Sequence, residues 1–265
     1  MAEFTDPYLD PATGLLRNRV GAVTRADLDT AEADLTAARA VELVHTPVPA
    51  TGDLGEFRAI HQHLFQDVYD WAGELRTVDL RKNVAGAEFF LPVSMIDRAG
   101  GFAAEELRQD GMLRGLDRER FVDRLSYHYD QWNYIHPFRE GNGRTQRLFW
   151  NRVAADAGWN LDWRSVQGAV NDAASRAAAE SRDFGPLRAM FDQIVTERDD
   201  RGRGDVARLG LRPPGLAPHE AARIAGMDTP APPRAAPPPP RGPADYGSPQ
   251  SRRGPSIDPG HGLGR

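Results

Sequence analysis

Twelve consecutive residues, His136-Pro137-Phe138-Arg139-Glu140-Gly141-Asn142-Gly143-Arg144-Thr145-Gln146-Arg147, gather most of the side chains in this 265-residue chain that could do chemistry together. An imidazole such as that of His136, with an unperturbed pKa near ~6.5, can accept a proton at neutral pH. The Glu140 carboxylate is the kind of ligand Mg²⁺ takes once or twice before filling its octahedron with phosphate oxygens and water. Pro137 restricts the residue before it and so ends a preceding helix near Ile135. Gly141 and Gly143 let the backbone turn tightly and expose its N–H groups. A new helix is predicted from about Gly143, and its first N–H groups and dipole make an anion site. Arg144 and Arg147, three apart, share a helical face near that end. Cations at a helix start oppose the dipole, so two of them there imply a bound polyanion, and a nucleotide phosphate tail fits. Each element alone has an ordinary reading: a solvated loop histidine, a Gly-Asn-Gly turn, a surface arginine pair, a core anchor in Phe138. Their joint occurrence at fixed spacing points to phosphate-transfer chemistry.

The surrounding sequence supplies helices to hold this loop. Leu28, Ala31, Leu35, Ala38 and Val41 recur at threes and fours, with Thr24 and Asp27 placed as a helix start. Phe57, Ile60, Leu64, Val68 and Trp71 form a second stripe. Ile96, Ala99, Ala103 and Leu107 form a third, opened by Ser94. Phe121, Leu125, Tyr129 and Trp132 follow Asp117 as a cap. Leu148, Phe149, Val153 and Ala157 lie beyond the loop. Val166, Ala169, Val170 and Ala173, then Leu187, Met190, Phe191 and Ile194, complete the set. Residues 75–92 break the period. Two short extended runs there flank a Gly-containing turn, the pattern of a small hairpin. The expected class is all-α with one minor β element.

Composition narrows the possibilities. There is no cysteine, which excludes disulfides and thiolate metal sites. His61 and His63 are two apart and point to different sides of a helix, so they cannot clamp a zinc ion as an i, i+4 pair would. No apolar run approaches the ~20 residues of a membrane span. The residues Met1 to Asp6 lack a signal-peptide layout. A cytoplasmic protein with no membrane partner is expected, with export as an effector left open. The net charge is -5, yet residues 201–265 carry ten arginines against five acidic residues, leaving the first 200 at about -10. That acidity argues against a nucleic-acid partner. Residues 201–265 also hold 14 of the 21 prolines and 11 of the 26 glycines, with sparse apolar residues. The reading is a folded domain over 1–200 and a disordered Pro/Gly/Arg-rich tail over 201–265.

The string from His136 to Arg147 resembles the signature of the Fic family, His-Pro-Phe-x-(Asp/Glu)-Gly-Asn-Gly-Arg-x-x-Arg, with every position filled. Tyr8-Leu9-Asp10 with Leu16-Arg17-Asn18, Ile60-His61 through Leu64-Phe65, and Trp71-Ala72-Gly73 with Leu75-Arg76-Thr77 are similar to the same family's toxin-like members. The likeness spans roughly residues 8–197. It implies a Fic-type helical bundle whose 75–92 hairpin is a flap that registers a target protein by strand pairing. It implies ATP as co-substrate and AMP transfer to a Ser, Thr or Tyr hydroxyl, with His136 as general base and Glu140 holding Mg²⁺. Gly141, Asn142 and Gly143 would form the anion hole, Arg144 and Arg147 would grip the β- and γ-phosphates, and Lys82 and Asn83 would touch nucleotide or target. A lysine marks the phosphorylating branch at the position of Gly143, so glycine favours AMP. A transferase moving another nucleotide or phosphate group, or a non-catalytic binding module, are the competing readings. The family's inhibitory helix, (Ser/Thr)-x-x-x-Glu-(Gly/Asn), has no match here. Thr30 with Asp34 comes nearest, and Leu35 departs from the pattern. The resemblance therefore implies a small antitoxin-like inhibitor acting in trans on Arg147.

Overall fold

The helical periodicity is realised as seven α-helices among the residues described by this computed structural model, namely 6–81, 89–166, 168–198 and 206–210. They are α1 (Arg25–His45), α2 (Leu54–Phe65), α3 (Ile96–Gln109), α4 (Arg118–Ile135), α5 (Asn142–Asp156), α6 (Gly168–Ser181) and α7 (Gly185–Ile194). Three of the starts are chemically explicit. Thr24 caps α1 by accepting from the Asp27 amide, Asp53 caps α2 through the Glu56 amide, and Asp117 caps α4 through the Arg120 amide. Ser94 does not open α3. It sits in a short 3-10 turn, and the helix begins behind Met95 without a side-chain cap.

The α4 helix is the central element, packed against α3, α5, α6 and α7. Phe121, Leu125, Tyr129 and Trp132 are all buried on it, as the stripe predicted. The Trp132 ring stacks on Phe57 of α2 at 4.1 Å, which ties the second stripe to the fourth. The stripe on α7 is also buried throughout. On α1 the buried face is Leu28, Glu32, Thr36, Ala40 and Leu43, while Val41 is exposed, so the helix is rotated away from the predicted apolar face. On α6 the buried residues are Gly168, Asn171, Ala174, Ser175 and Ala178, and Val170 faces out. In both helices a polar pairing inside the molecule outweighs the apolar period: Glu32 on α1, and on α6 Asn171, which accepts from the Tyr129 hydroxyl at 3.0 Å.

The predicted hairpin is present at its stems. Arg81 and Phe89 form an antiparallel bridge, and the Phe90 amide donates to the Leu80 carbonyl at 2.9 Å. Its tip, with Lys82 and Asn83, lies outside the described residues. A second β element was not foreseen. Strand β1 (Trp159–Leu161) pairs antiparallel with β2 (Val195–Glu197), each three residues long, too short to leave a period in the sequence. Residues 206–210, which composition assigned to the tail, include a 3-10 turn (Val206–Leu209) that packs on the helical body, with Leu209 only 3% exposed. The tail beyond residue 210 lies outside the described residues. No helix among the described residues is long and apolar enough to cross a membrane.

One core carboxylate carries a pH signature. Asp130 on α4 is buried, its Oδ1 lacks a hydrogen bond, and Arg182 is 3.7 Å away. Burial pushes its pKa up to about 6, against a weaker opposing pull from Arg182. The folded protein therefore holds this proton at pH values where the unfolded chain has released it, so stability falls as pH rises from about 4 to about 6. Asp130→Asn is expected to melt at a higher temperature than the native chain at pH 7 and to match it near pH 4. Thermal melts at the two pH values check this, and an equal difference at both would refute it.

Candidate active site

The loop between α4 and α5 is set by two left-handed residues. His136 is the C-cap of α4, at φ 46° and ψ 63°, and its N–H still donates to the Trp132 carbonyl at 3.1 Å. A non-glycine residue in this region costs on the order of 1–2 kcal/mol and persists only where its surroundings hold it. Here Arg76 Nε donates to the His136 carbonyl at 2.7 Å, and the Arg76 amide donates to the Pro137 carbonyl at 2.9 Å. Phe90, from the flap stem, stacks on the imidazole at 3.7 Å with an 8° interplanar angle. The imidazole is thereby buried, with His136 1% exposed.

Gly141, at φ 82°, precedes α5. A Cβ there would lie 2.3 Å from Cζ of Phe65, so both the dihedral and the close approach require glycine. Gly143, by contrast, is already helical, since α5 begins at Asn142. Asn142 closes the loop on itself: its Oδ1 accepts from the Phe138 amide at 2.9 Å and its Nδ2 donates to the Phe138 carbonyl at 2.8 Å. The side chain is therefore a loop clamp, and the part of Asn142 available to an anion is its backbone. The first N–H groups of α5 point from the helix end beside Glu140, the geometry that favours phosphate.

The floor of the loop is aromatic. Phe138 stacks on His61 at 3.9 Å, and Phe65 lies 4.6 Å from the same imidazole. His61 Nδ1 accepts from the Gly73 amide at 2.8 Å, so its proton sits on Nε2 and is donated to the Glu140 carbonyl at 3.0 Å. Burial lowers its pKa to about 3, which keeps it neutral at any physiological pH. The residue that sequence reasoning weighed as a metal ligand instead fixes the backbone of Glu140.

The charged groups are held in pairs. Glu140 Oε1 accepts from the Gly141 amide at 3.0 Å and lies 3.4 Å from Arg144 Nη2. Arg144 Nη2 is also 2.6 Å from Glu32 Oε1 of α1, and the Tyr69 hydroxyl donates to the other Glu32 oxygen. Burial works against the Arg144 cation, but Glu32 and Glu140 outweigh it and hold its pKa above the ordinary arginine value. Burial and the Glu32 charge push the Tyr69 phenol well above its usual range. Arg147 Nη1 donates to the carbonyls of Leu209 (3.4 Å) and Gly210 (3.2 Å), and its guanidinium lies 5.5 Å from the Trp163 ring centre. Arg139, the variable position of the motif, forms a buried pair with Asp6 at 2.9 Å.

The structure thus brings His136, Glu140, Gly141, Asn142, Gly143, Arg144 and Arg147 to one helix junction, all of them buried or nearly so. Glu32, Tyr69, His61 and Arg76 were not foreseen as partners of that junction. The i, i+4 row Leu28–Glu32–Thr36–Ala40 was the available signal for Glu32. No cluster of three or more His, Asp or Glu side chains occurs among the described residues. A cation at this junction would rest on Glu140 and on oxygens of its own ligand, which is the donor set Mg²⁺ accepts.

Residues 52–154 match the model of the Fic/DOC family. A relative from Escherichia coli K12, named "Probable protein adenylyltransferase Fic", is 34% identical over 195 residues, covering 74% of this chain and 94% of its own length. This chain belongs to the Fic/DOC family. Protein adenylyltransferase VbhT of Bartonella schoenbuchensis is 38% identical over 205 residues, covering 77% of this chain and 42% of VbhT. Among solved structures, the N-terminal Fic domain of a VirB-translocated Bep effector protein from Bartonella quintana, with bound ADP, superposes with a TM-score of 0.68 at 26% identity. That match covers 72% of this chain and 95% of the other.

Within the Fic site, the Glu32–Arg144 contact is open to a direct test. Glu32→Ala leaves the buried Arg144 with Glu140, at the longer distance, as its remaining carboxylate, so a destabilisation of about 3 kcal/mol is expected, and Glu32→Gln should cost less. Urea unfolding of the two variants measures this. Native-like stability in Glu32→Ala would mean that the pair holds nothing together.

Proposed function

We propose that this protein is a protein adenylyltransferase, transferring AMP from ATP to a Ser, Thr or Tyr hydroxyl of another protein and releasing pyrophosphate. The observation that carries the reading is the buried junction itself, where His136, Glu140 and the N-terminus of α5 lie on one rigid turn with Arg144 and Arg147 one helical turn further on. His136 takes the proton of the target hydroxyl. The hydroxyl oxygen attacks the α-phosphorus in line, the new P–O bond forms, and the bond to the bridging oxygen breaks to free pyrophosphate. The backbone around Gly141–Gly143 receives phosphate oxygens, and Arg147 with Arg144 holds the distal phosphates. Glu140 is the residue that would hold Mg²⁺, which neutralises phosphate charge when bound. Such catalysis is largely positioning and electrostatics, and a pre-formed, water-poor junction supports it.

The target docks on the 75–92 hairpin, whose stems lie against the His136 loop, and Lys82 and Asn83 contact nucleotide or target from its tip. An inhibitor acting in trans offers a carboxylate to Arg147. The lack of the family's inhibitory pattern in the sequence supports this. Cytoplasmic action suits an ATP-using enzyme, and the translocated Bartonella neighbour makes delivery into another cell a second setting.

Incubating the chain with cell lysate, Mg²⁺ and either α- or γ-labelled ATP tests the reaction. Label should reach protein from the α position only, and γ-label on protein would overturn AMP transfer. His136→Ala should reduce transfer by at least ~100-fold while ATP affinity stays within a few-fold, because a positioned base acts in the transition state. Arg147→Ala should weaken ATP binding itself, read by calorimetry.

A further inference from the structure

The Arg76 side chain takes no step in the mechanism above, yet it is heavily committed to backbone carbonyls around the junction. Arg76 is 2% exposed. Its Nε donates to the His136 carbonyl at 2.7 Å, and its Nη2 to the Ile135 carbonyl at 3.3 Å. Its Nη1 donates to the Val78 carbonyl at 2.9 Å, and Nη2 donates also to the Leu91 carbonyl. These acceptors belong to three separate pieces of chain. Ile135 and His136 end α4, Val78 lies on the first stem of the flap, and Leu91 lies on the second. The nearest carboxylate is the half-exposed Asp79 at 3.7 Å. Burial lowers the guanidinium pKa to about 10, so it remains charged at neutral pH.

We propose that Arg76 is a positioning residue that locks both flap stems to the backbone of His136 and so fixes the distance between a docked target strand and the general base. Three features of the structure argue for it. The terminal carbonyls of a helix lack intrahelical donors and favour a cation, and Arg76 supplies both needs at the end of α4. The planar guanidinium carries five donors spread over three nitrogens in fixed directions, and so spans carbonyls that an ammonium, with three donors on one nitrogen, reaches less well. Next to the same point, the Leu91 amide donates to the Tyr134 carbonyl at 3.1 Å and Phe90 stacks on the imidazole, so the second stem is joined to the end of α4 and to His136 by further contacts beside Arg76's bond. A target hydroxyl registered by the flap is then placed by the same side chain that holds His136 in its left-handed conformation.

The proposal rests on the transferase reading for one of its three readouts. Arg76→Met and Arg76→Lys are compared with the native chain, after melting curves establish folding. ATP affinity is measured by calorimetry, AMP transfer by α-label incorporated into lysate protein, and loop coupling by hydrogen–deuterium exchange over residues 76–81, 89–92 and 133–137. Folded Arg76→Met should bind ATP within about 3-fold of native and transfer about 100-fold less, the loss expected from a misplaced reacting group. Exchange should rise in all three segments together. Arg76→Lys keeps the charge but loses the fork, and should recover less than about a tenth of native transfer. Native transfer by either variant, or ATP affinity falling in step with transfer, overturns the proposal. If neither variant folds, the native protein decides. A common opening rate for the three segments supports the lock and independent rates overturn it. A native chain that labels no lysate protein sinks the transferase reading, and the exchange data still judge the lock.

Discussion

The turn from α4 into α5 is the constraint on which the rest of this molecule depends. Two helices must meet end to end so that the C-terminus of one presents an imidazole and the N-terminus of the next presents amide N–H groups. Within 136–141 the chain twice takes a left-handed conformation, at His136 and Gly141. Only the second is relieved by glycine. The strain at His136 is carried by its surroundings: the Asn142 amide clamps Phe138 on both its backbone groups, His61 holds the Glu140 carbonyl, and Arg76 holds those of Ile135 and His136. An imidazole held this way needs little reorganisation to act, which is the usual advantage of a strained, over-determined position.

Charge is handled with the same economy of motion. Arg144, Glu32, Glu140 and Tyr69 form one buried network in which no carboxylate is left to face apolar surroundings alone. Arg139–Asp6 and Arg152–Glu56 repeat the arrangement at 2.9 Å and 2.6 Å, joining the motif loop to the N-terminal segment and α5 to α2. Such pairs add little net stability over apolar replacements, but removing one member is costly. Their value is geometric. They set α1, α2 and the N-terminal segment around the start of α5 in one arrangement.

How much of this could be read from sequence follows the same physics. The α4 and α7 stripes and the caps at Thr24 and Asp117 were legible because local periodicity and burial agree there. The motif residues were legible because their spacing is fixed by the turn itself. The α1 face was misread because Glu32 lies inward, and an apolar-period argument assigns any glutamate to solvent. That the Asn142 side chain folds back on Phe138 was not legible, since nothing in a sequence records where an amide side chain points. The β1–β2 pair depends on contacts between residues 159–161 and 195–197, a separation no local pattern records.

The end of the chain shows why composition and packing can diverge within a few residues. A window average over 201–265 is dominated by proline, glycine and arginine, a composition that argues against a core of its own. Burial, however, is decided residue by residue. A single apolar side chain can be captured by a core that already exists, and Leu209 is such a residue, seated in the main cluster beside the Trp163 turn. Gly210 follows at φ 60°, where a Cβ would come within 2.9 Å of the Trp163 carbonyl, so the backbone can close on that turn only as glycine. The Leu209 and Gly210 carbonyls then reach the Arg147 guanidinium. Both acceptors are neutral carbonyls, so these two contacts orient the guanidinium without supplying a counter-charge. Arg144 is oriented differently, by the carboxylates of Glu32 and Glu140. The difference between two arginines three residues apart is therefore set by elements distant in sequence, α1 for one and the 206–210 turn for the other.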